Sequence, residues 1–373
     1  MAGLAGQHPV LPVDSAALEH AANAAMTPEA SGYLDGMADS MRANLAAFRR
    51  WRIVPRMLRN VAERDLGVEL FGKRYATPLL LAPIGVQSIV HAEGELAPAR
   101  VAASLGIPMI FSSASTAPLE QVAEAMGSAP RWFQLYWSKD PEFNASIVAR
   151  AERAGCEAIV VTLDTFLLAW RPLDIQNAYL PFLLGQGVGN YFSDPAFRKS
   201  LSKTPEEDPQ SAIMRFIQIF TNPSLTWADL ATLRDQTKLP ILLKGILHPD
   251  DAHKALEAGI DGVIVSNHGG RQVEGAIAAL DALPAVVEAV AGRMPVLFDS
   301  GIRRASDVLK AVALGARAVL LGRPYMWGLA LGGEQGVREV LRNLLADLDL
   351  TLALSGYTSF ADLNPSSLVR EPV

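Results

Sequence analysis

Eight short apolar runs, spaced by helix-period segments, dominate the chain from about residue 78 onward. They are Pro78 to Pro83, Pro108 to Ser112, Trp132 to Tyr136, Ala158 to Leu163, Pro240 to Lys244, Gly262 to Ser266, Pro295 to Phe298 and Ala318 to Leu321. Each is too short for a helix and lacks polar alternation, which predicts strands covered on both faces. Gly106, Gly127, Gly155, Gly259 and Gly315 each close a helical pattern just before a strand, as Asp250 to Ala258 followed by Gly259 illustrates. Strands alternating with helices imply right-handed crossovers and a parallel sheet. Eight such units predict a closed (β/α)8 TIM barrel. The competing open doubly wound sheet carries a glycine fingerprint after its first strand, and Ala82-Pro83-Ile84-Gly85 is not one.

A chain of 373 residues suits one barrel of roughly 250 residues with additions. Residues 1–77 read as a helical N-terminal extension ending in a hairpin near Val68 to Tyr75 that caps the barrel floor, ahead of a barrel over 78–373. Pro172 to about Gln236 reads as a lid inserted after the fourth strand, because long segments in compact domains are commonly functional. Half the residues are apolar, so a large core is feasible and wholesale disorder is excluded.

The 33 basic and 39 acidic side chains leave a charge of −6, which gives no general attraction for nucleic acid or an anionic membrane. The basic stretch Phe48 to Arg56 therefore reads as a solvated face. One cysteine, Cys156, forms neither an internal disulfide nor a cysteine zinc site. No His/Cys/carboxylate cluster has metal spacing, Gly-x-Ser-x-Gly is absent, and no signal-like or membrane-spanning apolar run is present. The expectation is a metal-free cytoplasmic protein.

In barrel enzymes the chemistry lies at the C-terminal ends of the strands. Here those ends carry Pro83-Ile84-Gly85, Ser112, Gln134 with Tyr136, Thr162 with Asp164, Lys244, Ser266-Asn267-His268-Gly269-Gly270-Arg271, Asp299-Ser300-Gly301-Ile302-Arg303 and Gly322-Arg323. Polar or small groups at all eight ends predict a large ligand touched from many sides. The last two loops form the usual barrel phosphate site, where Gly301 and Gly322 admit an anion to backbone N–H groups and Arg303 and Arg323 add charge. Of six histidines only His268 sits on a strand end beside glycines and an arginine, with Asp164 as a candidate orienting partner. Arg171 and Arg271 could grip a carboxylate or pair with surface acids.

These motifs resemble the FMN-dependent α-hydroxy acid oxidases and dehydrogenases. The likeness rests on Ser266-Asn267-His268-Gly269-Gly270-Arg271-Gln272, Asp299 to Arg303 and Gly322-Arg323-Pro324, and runs from about Asn44 to Tyr357. It implies bound FMN. Pro83, Ile84, Gly85, Ser112, Gln134, Thr162 and Lys244 would hold the flavin ring. Ser266, Asp299, Ser300, Gly301, Arg303, Gly322 and Arg323 would hold its ribityl and phosphate. His268 would be the base, paired with Asp164, while Arg171, Arg271 and Tyr136 would bind a small L-2-hydroxy acid oxidised with O2.

Within the family, Leu81 to Val86, Thr162 to Thr165 and Trp170-Arg171-Pro172 are most similar to the lactate 2-monooxygenase branch, which keeps its keto acid and decarboxylates it with peroxide. Simple oxidases tend to carry alanine where Gly85 stands, so a missing methyl there would enlarge the space beside the flavin and favour retention. An oxidase releasing keto acid and peroxide, a dehydrogenase with another acceptor, and a non-catalytic flavin-binding barrel are the alternatives. The family's N-terminal Tyr-x-x-Gly-Gly is met only by Tyr33-Leu34-Asp35-Gly36-Met37, whose second glycine is missing, so Tyr33 is the candidate substrate tyrosine on an altered motif. The resemblance also implies a homotetramer or homo-octamer.

Overall fold

The computed structural model describes Gly6, residues 8–35 and residues 38–371. Eight parallel strands close a barrel: β1 (Leu79–Leu81), β2 (Met109–Ser112), β3 (Arg131–Leu135), β4 (Ile159–Thr162), β5 (Ile241–Ile246), β6 (Gly262–Val265), β7 (Val296–Phe298) and β8 (Ala318–Leu321). β8 pairs back onto β1 in parallel register, Leu320 opposite Leu80, which removes both sheet edges. All eight fall within the apolar runs of the sequence, apart from shifts of one or two residues at their ends.

Alternate residues face opposite sides of each strand. Leu80, Ile110, Trp132, Val160, Leu242, Ile264, Leu297 and Leu320 therefore fill the barrel interior as one buried cluster. Val68, Leu70 and Tyr75, from the hairpin of strands Val68–Leu70 and Lys73–Tyr75, join that cluster, and Tyr75 meets the Trp132 ring edge-on at 6.4 Å. The hairpin is thus a plug in the end of the barrel away from the chemistry.

The helices of the N-terminal extension lie elsewhere. A Cβ added at Gly270 would come within 2.6 Å of Met41 N, and one at Gly301 within 3.1 Å of Phe48 and 3.2 Å of Asn44. The helix Ala38–Arg49 therefore rests on the loops after β6 and β7, at the C-terminal end of the strands. The helix and the floor hairpin thus lie at opposite ends of the barrel. The helix's basic-aromatic continuation, Trp51–Ile53, pairs antiparallel with Leu368–Arg370 and ties the extension to the C-terminal segment.

The 172–236 segment is mostly helical, with Pro172–Gln176, Gly189–Phe192, Pro195–Lys199, Pro209–Phe220 and Leu230–Gln236. Aromatic packing anchors it: Tyr191 stacks on Phe143 at 4.2 Å and meets Phe216 at 4.6 Å, while Phe216 contacts Phe182 at 5.1 Å and Phe220 at 4.9 Å. Among the described residues no helix is long and apolar enough to cross a membrane, and no cluster of three or more His, Cys, Asp or Glu is arranged for a metal.

Candidate active site

A cleft opens at the C-terminal mouth of the barrel, lined by apolar walls and a set of convergent polar and charged groups. Fifteen of the residues named from sequence line it: Tyr33, Pro83, Ile84, Gly85, Tyr136, Arg171, Lys244, His268, Arg271, Asp299, Ser300, Gly301, Arg303, Gly322 and Arg323. Asp164, Ser112, Gln134, Thr162 and Ser266 do not line the open space.

His268 lies in the loop after β6 with a left-handed backbone, φ +58°. That conformation is unfavourable for a side-chain-bearing residue, and local hydrogen bonds hold it. Its N–H donates to Ser266 Oγ at 3.0 Å, and the Gly269 N–H donates to Ser300 Oγ at 2.9 Å. The imidazole Nδ1 sits 2.8 Å from Asp164 Oδ1, with Thr165 Oγ1 3.3 Å from both atoms. Burial opposes charge on Asp164, but His268, Lys244 and the Thr165 hydroxyl outweigh it and hold the carboxyl below its usual range. Burial, opposed by Asp164 and aided by Lys244 and Arg271, holds the imidazole below the ordinary histidine value. Near neutral pH the pair is therefore carboxylate and neutral imidazole. Nδ1 then carries the proton and donates it to Asp164, which leaves Nε2 as the basic atom.

Two arginines lie on the same side of the cleft. Arg271 sits 4.7 Å over the Tyr33 ring, and Arg171 Nη2 donates to Gln272 Oε1 at 2.8 Å. Arg171 Nε and Arg271 Nη1 are buried without partners. Burial pushes Arg271 down to about 9, and the nearby Arg171 charge acts in the same direction. Two desolvated cations with spare donors form a site that a planar carboxylate relieves. Asp174 Oδ2 lies 3.8 Å from Arg171 Nη1, and burial raises its carboxyl despite both arginines. Burial also raises the Tyr136 hydroxyl, so it remains a donor.

At the other end, Arg303 stacks 4.9 Å over Trp327, with Nε and Nη2 buried and unpartnered. Arg323 is differently occupied. Its Nε donates to Leu34 O at 2.8 Å, Nη1 to Gly269 O at 3.1 Å and Nη2 to Asp35 O at 2.7 Å. Burial, with Arg303 adding, pushes Arg323 down to about 10. This end also favours an anion, and Arg303 has the freer donors. Arg323 spends much of its fork placing the segment that bears Tyr33.

Between the two ends, Lys244 Nζ lies 2.8 Å from Asp299 Oδ2. Burial works against its ammonium, but Asp299 and Asp164 outweigh it and raise it. Ser266 Oγ accepts from Lys244 at 3.0 Å and from the His268 N–H, and donates to Asp299 Oδ2 at 2.8 Å. Its single donor and both lone pairs are used. Ser266 Oγ is thus held inside the Lys244–Asp299 network. Ser112 Oγ donates to Gln134 Oε1 at 3.2 Å, whereas Gln134 Nε2 is a buried donor without a partner. Thr162 is buried at the end of β4, opposite Lys244 in register.

Gly85 lines the cleft, but its missing side chain does not widen it. An added Cβ would lie 2.9 Å from Ala114 O, 3.0 Å from Ala114 Cβ and 3.3 Å from Ser112 Oγ. The methyl direction points into packed wall, which corrects the expectation of a hollow there. The lining residues missed in the sequence include Ala114, Thr165, Leu168, Phe182 and Phe220. Thr165 adjoins Asp164, a signal that was available. Phe182 and Phe220 come from the 172–236 segment, and nothing local marks them as lining.

Known proteins confirm the family. A family model described as FMN-dependent dehydrogenase matches residues 22–370. The chain belongs to the FMN-dependent 2-hydroxy acid oxidoreductases. It is 50% identical over 335 residues to L-lactate oxidase of Lysinibacillus sphaericus, covering 90% of this chain and 86% of that protein. It is 43% identical over 338 residues to human 2-hydroxyacid oxidase 1, covering 90% of each. The structure of mandelate oxidase with benzoyl-formic acid superposes with a TM-score of 0.84 at 37% identity, over 96% of this chain and 98% of that one.

FMN is the cofactor of this family, and the cleft suits it on physical grounds. Lys244 lines the cleft as a buried cation, and Arg303 offers unpartnered buried donors for a phosphate, while Gln134 Nε2 is an orphaned donor behind the wall. Gly301, with φ +92°, brings backbone close to that end.

Proposed function

We propose that this chain oxidises a small aliphatic L-2-hydroxy acid, L-lactate first among them, to the 2-keto acid, with O2 as acceptor and hydrogen peroxide released. The observation that carries the reading is one cleft lined by His268, backed by Asp164 at 2.8 Å, and by the two arginines, Arg171 and Arg271. Arg171 and Arg271 bind the substrate carboxylate, and the Tyr33 and Tyr136 hydroxyls donate to its oxygens. His268 Nε2 takes the proton of the C2 hydroxyl, and Asp164 stabilises the imidazolium so formed. Bound FMN supplies the two-electron acceptor and its reoxidation by oxygen. Lys244 places positive charge beside it, with Asp299 and Ser266 fixing the ammonium.

Support for a small substrate comes from the side-chain wall. Leu168, Phe182, Phe220 and Tyr136 line that part of the cleft, and Phe220 packs on Tyr136 and Phe182 at 5.2 Å each. Support for release comes from the relatives named as oxidases and from the filled space at Gly85, which takes away the argument for a retention pocket. The test is anaerobic titration of the purified yellow protein with L-lactate, then product analysis in air. Flavin bleaching followed by equal pyruvate and peroxide supports the proposal. No bleaching removes the lactate reading. Acetate and carbon dioxide in place of pyruvate would establish the monooxygenase outcome instead.

A further inference from the structure

One buried amide pair lies outside the cleft yet reaches the loop that carries His268. Asn44, on the helix Ala38–Arg49, is 2% exposed, and Asn267, next to His268, is 4% exposed. Asn44 Nδ2 donates to Asn267 Oδ1 at 2.8 Å, and Asn267 Nδ2 donates to Asn44 Oδ1 at 2.9 Å. Neither amide can be turned over. Asn44 Oδ1 also accepts from the Ala279 N–H at 3.1 Å, where the following helix begins. Asn267 Oδ1 accepts from the Gly270 N–H at 3.1 Å, and its Nδ2 donates to Ile277 O at 3.1 Å. The two side chains are locked by partners on both sides of the histidine loop.

The surrounding contacts leave this loop little alternative. Gly270 has φ +78°, and its backbone lies against Ser40 and Met41 of the same helix. His268 itself is held at a positive φ that side-chain-bearing residues adopt reluctantly. We propose that Asn44 is a positioning residue for His268: the N-terminal helix, through this amide pair, holds the histidine loop so that Nδ1 meets Asp164 and Nε2 faces the substrate. The inference rests on His268 being the base, and it extends the reaction's machinery to a residue outside the barrel that does not line the cleft.

The test compares wild type, Asn44→Ala and Asn44→Asp as FMN-loaded enzymes. Asp keeps the Oδ1 acceptor but sets a second acceptor oxygen against Asn267 Oδ1, so it breaks the same bond by another route and decides the question if the alanine variant fails to fold. A displaced reacting group costs about ten- to a hundredfold in rate. The anaerobic flavin-reduction rate with L-lactate should fall by about that factor in both variants. Binding of oxalate, a carboxylate that cannot be oxidised, should stay within about twofold, because Arg171 and Arg271 are untouched. Independently of turnover, the low-field proton resonance of His268 Nδ1–H should shift or broaden in both variants. A merely structural residue would lower the melting temperature or flavin occupancy and leave the loaded fraction reducing at the wild-type rate with that resonance unmoved. That result would overturn the proposal. Wild type failing to be reduced by L-lactate would instead count against the substrate reading, which separates the two failures.

Discussion

Replacing Asp164 by Asn leaves the shape of the site intact and removes the one charge that supports His268 as it gains a proton. The carboxylate oxygen is 2.8 Å from Nδ1, which puts the two charge centres about 4 Å apart, where opposite charges attract by about 4 kcal/mol at an effective dielectric near 20. The neutral imidazole of the resting enzyme feels little of this, whereas the imidazolium formed during proton transfer feels most of it. The loss therefore falls on the barrier, and about 3–4 kcal/mol corresponds to a reduction rate lower by roughly 10²- to 10³-fold. Stopped-flow reduction of the flavin by L-lactate measures it directly. Affinity for oxalate should change little.

The pH dependence carries a second, signed expectation. His268 acts as a base only when neutral, so the wild-type rate should fall as pH drops through an imidazole pKa already held below the ordinary value, chiefly by burial. Asp164 is the group that raises that pKa against burial, so its removal should carry the acid limb to lower pH still. A variant reducing within about threefold of wild type, or an acid limb that moves upward, would refute the assignment of the pair.

Arg271→Ala should weaken L-lactate and oxalate binding by roughly ten- to a hundredfold, since a charge-assisted hydrogen bond contributes about 1.5–3 kcal/mol; equilibrium titration of the flavin spectrum measures it, and an unchanged affinity would place the carboxylate elsewhere. Gly85→Ala should cost about 1–3 kcal/mol of stability and lower flavin occupancy, because its Cβ meets the Ala114 carbonyl at 2.9 Å. Thermal melts and the ratio of flavin to protein absorbance report this; an alanine variant as stable as wild type would show that the wall yields. Leu70→Ala, in the floor plug, should destabilise the fold by about 2–5 kcal/mol in denaturant melts while leaving oxalate affinity unaltered.

Much of the architecture was legible because its signals are local. An apolar run such as Leu79–Leu81 or Ala318–Leu321 declares a strand buried on both faces by its own composition, and a glycine after a helix marks the turn into the next strand. The barrel rule then turns strand ends into a list of candidate site residues, and His268, Lys244, Arg303 and their neighbours do share one cleft. Within that list the sequence could not apportion the bonds. Ser266 and Arg323 have the right chemistry to touch a ligand, but a hydroxyl has only three hydrogen-bonding positions and a guanidinium only five donors. Which partners take them depends on residues such as Asp299, Leu34 and Gly269 that arrive from elsewhere in the chain.

Composition, periodicity and motif were enough, taken alone, to determine an eight-stranded parallel barrel, its plugging hairpin and the loops that bear the chemistry. The tertiary structure alone decided that the helix Ala38–Arg49 lies over the histidine loop, that Phe182 and Phe220 wall the cleft, and that the Gly85 methyl direction is filled. The reason is range. A strand or cap is selected by neighbours a few residues away, whereas Asn44 meets Asn267, and Gly85 meets Ala114, only after the whole barrel has closed and brought distant surfaces to van der Waals contact.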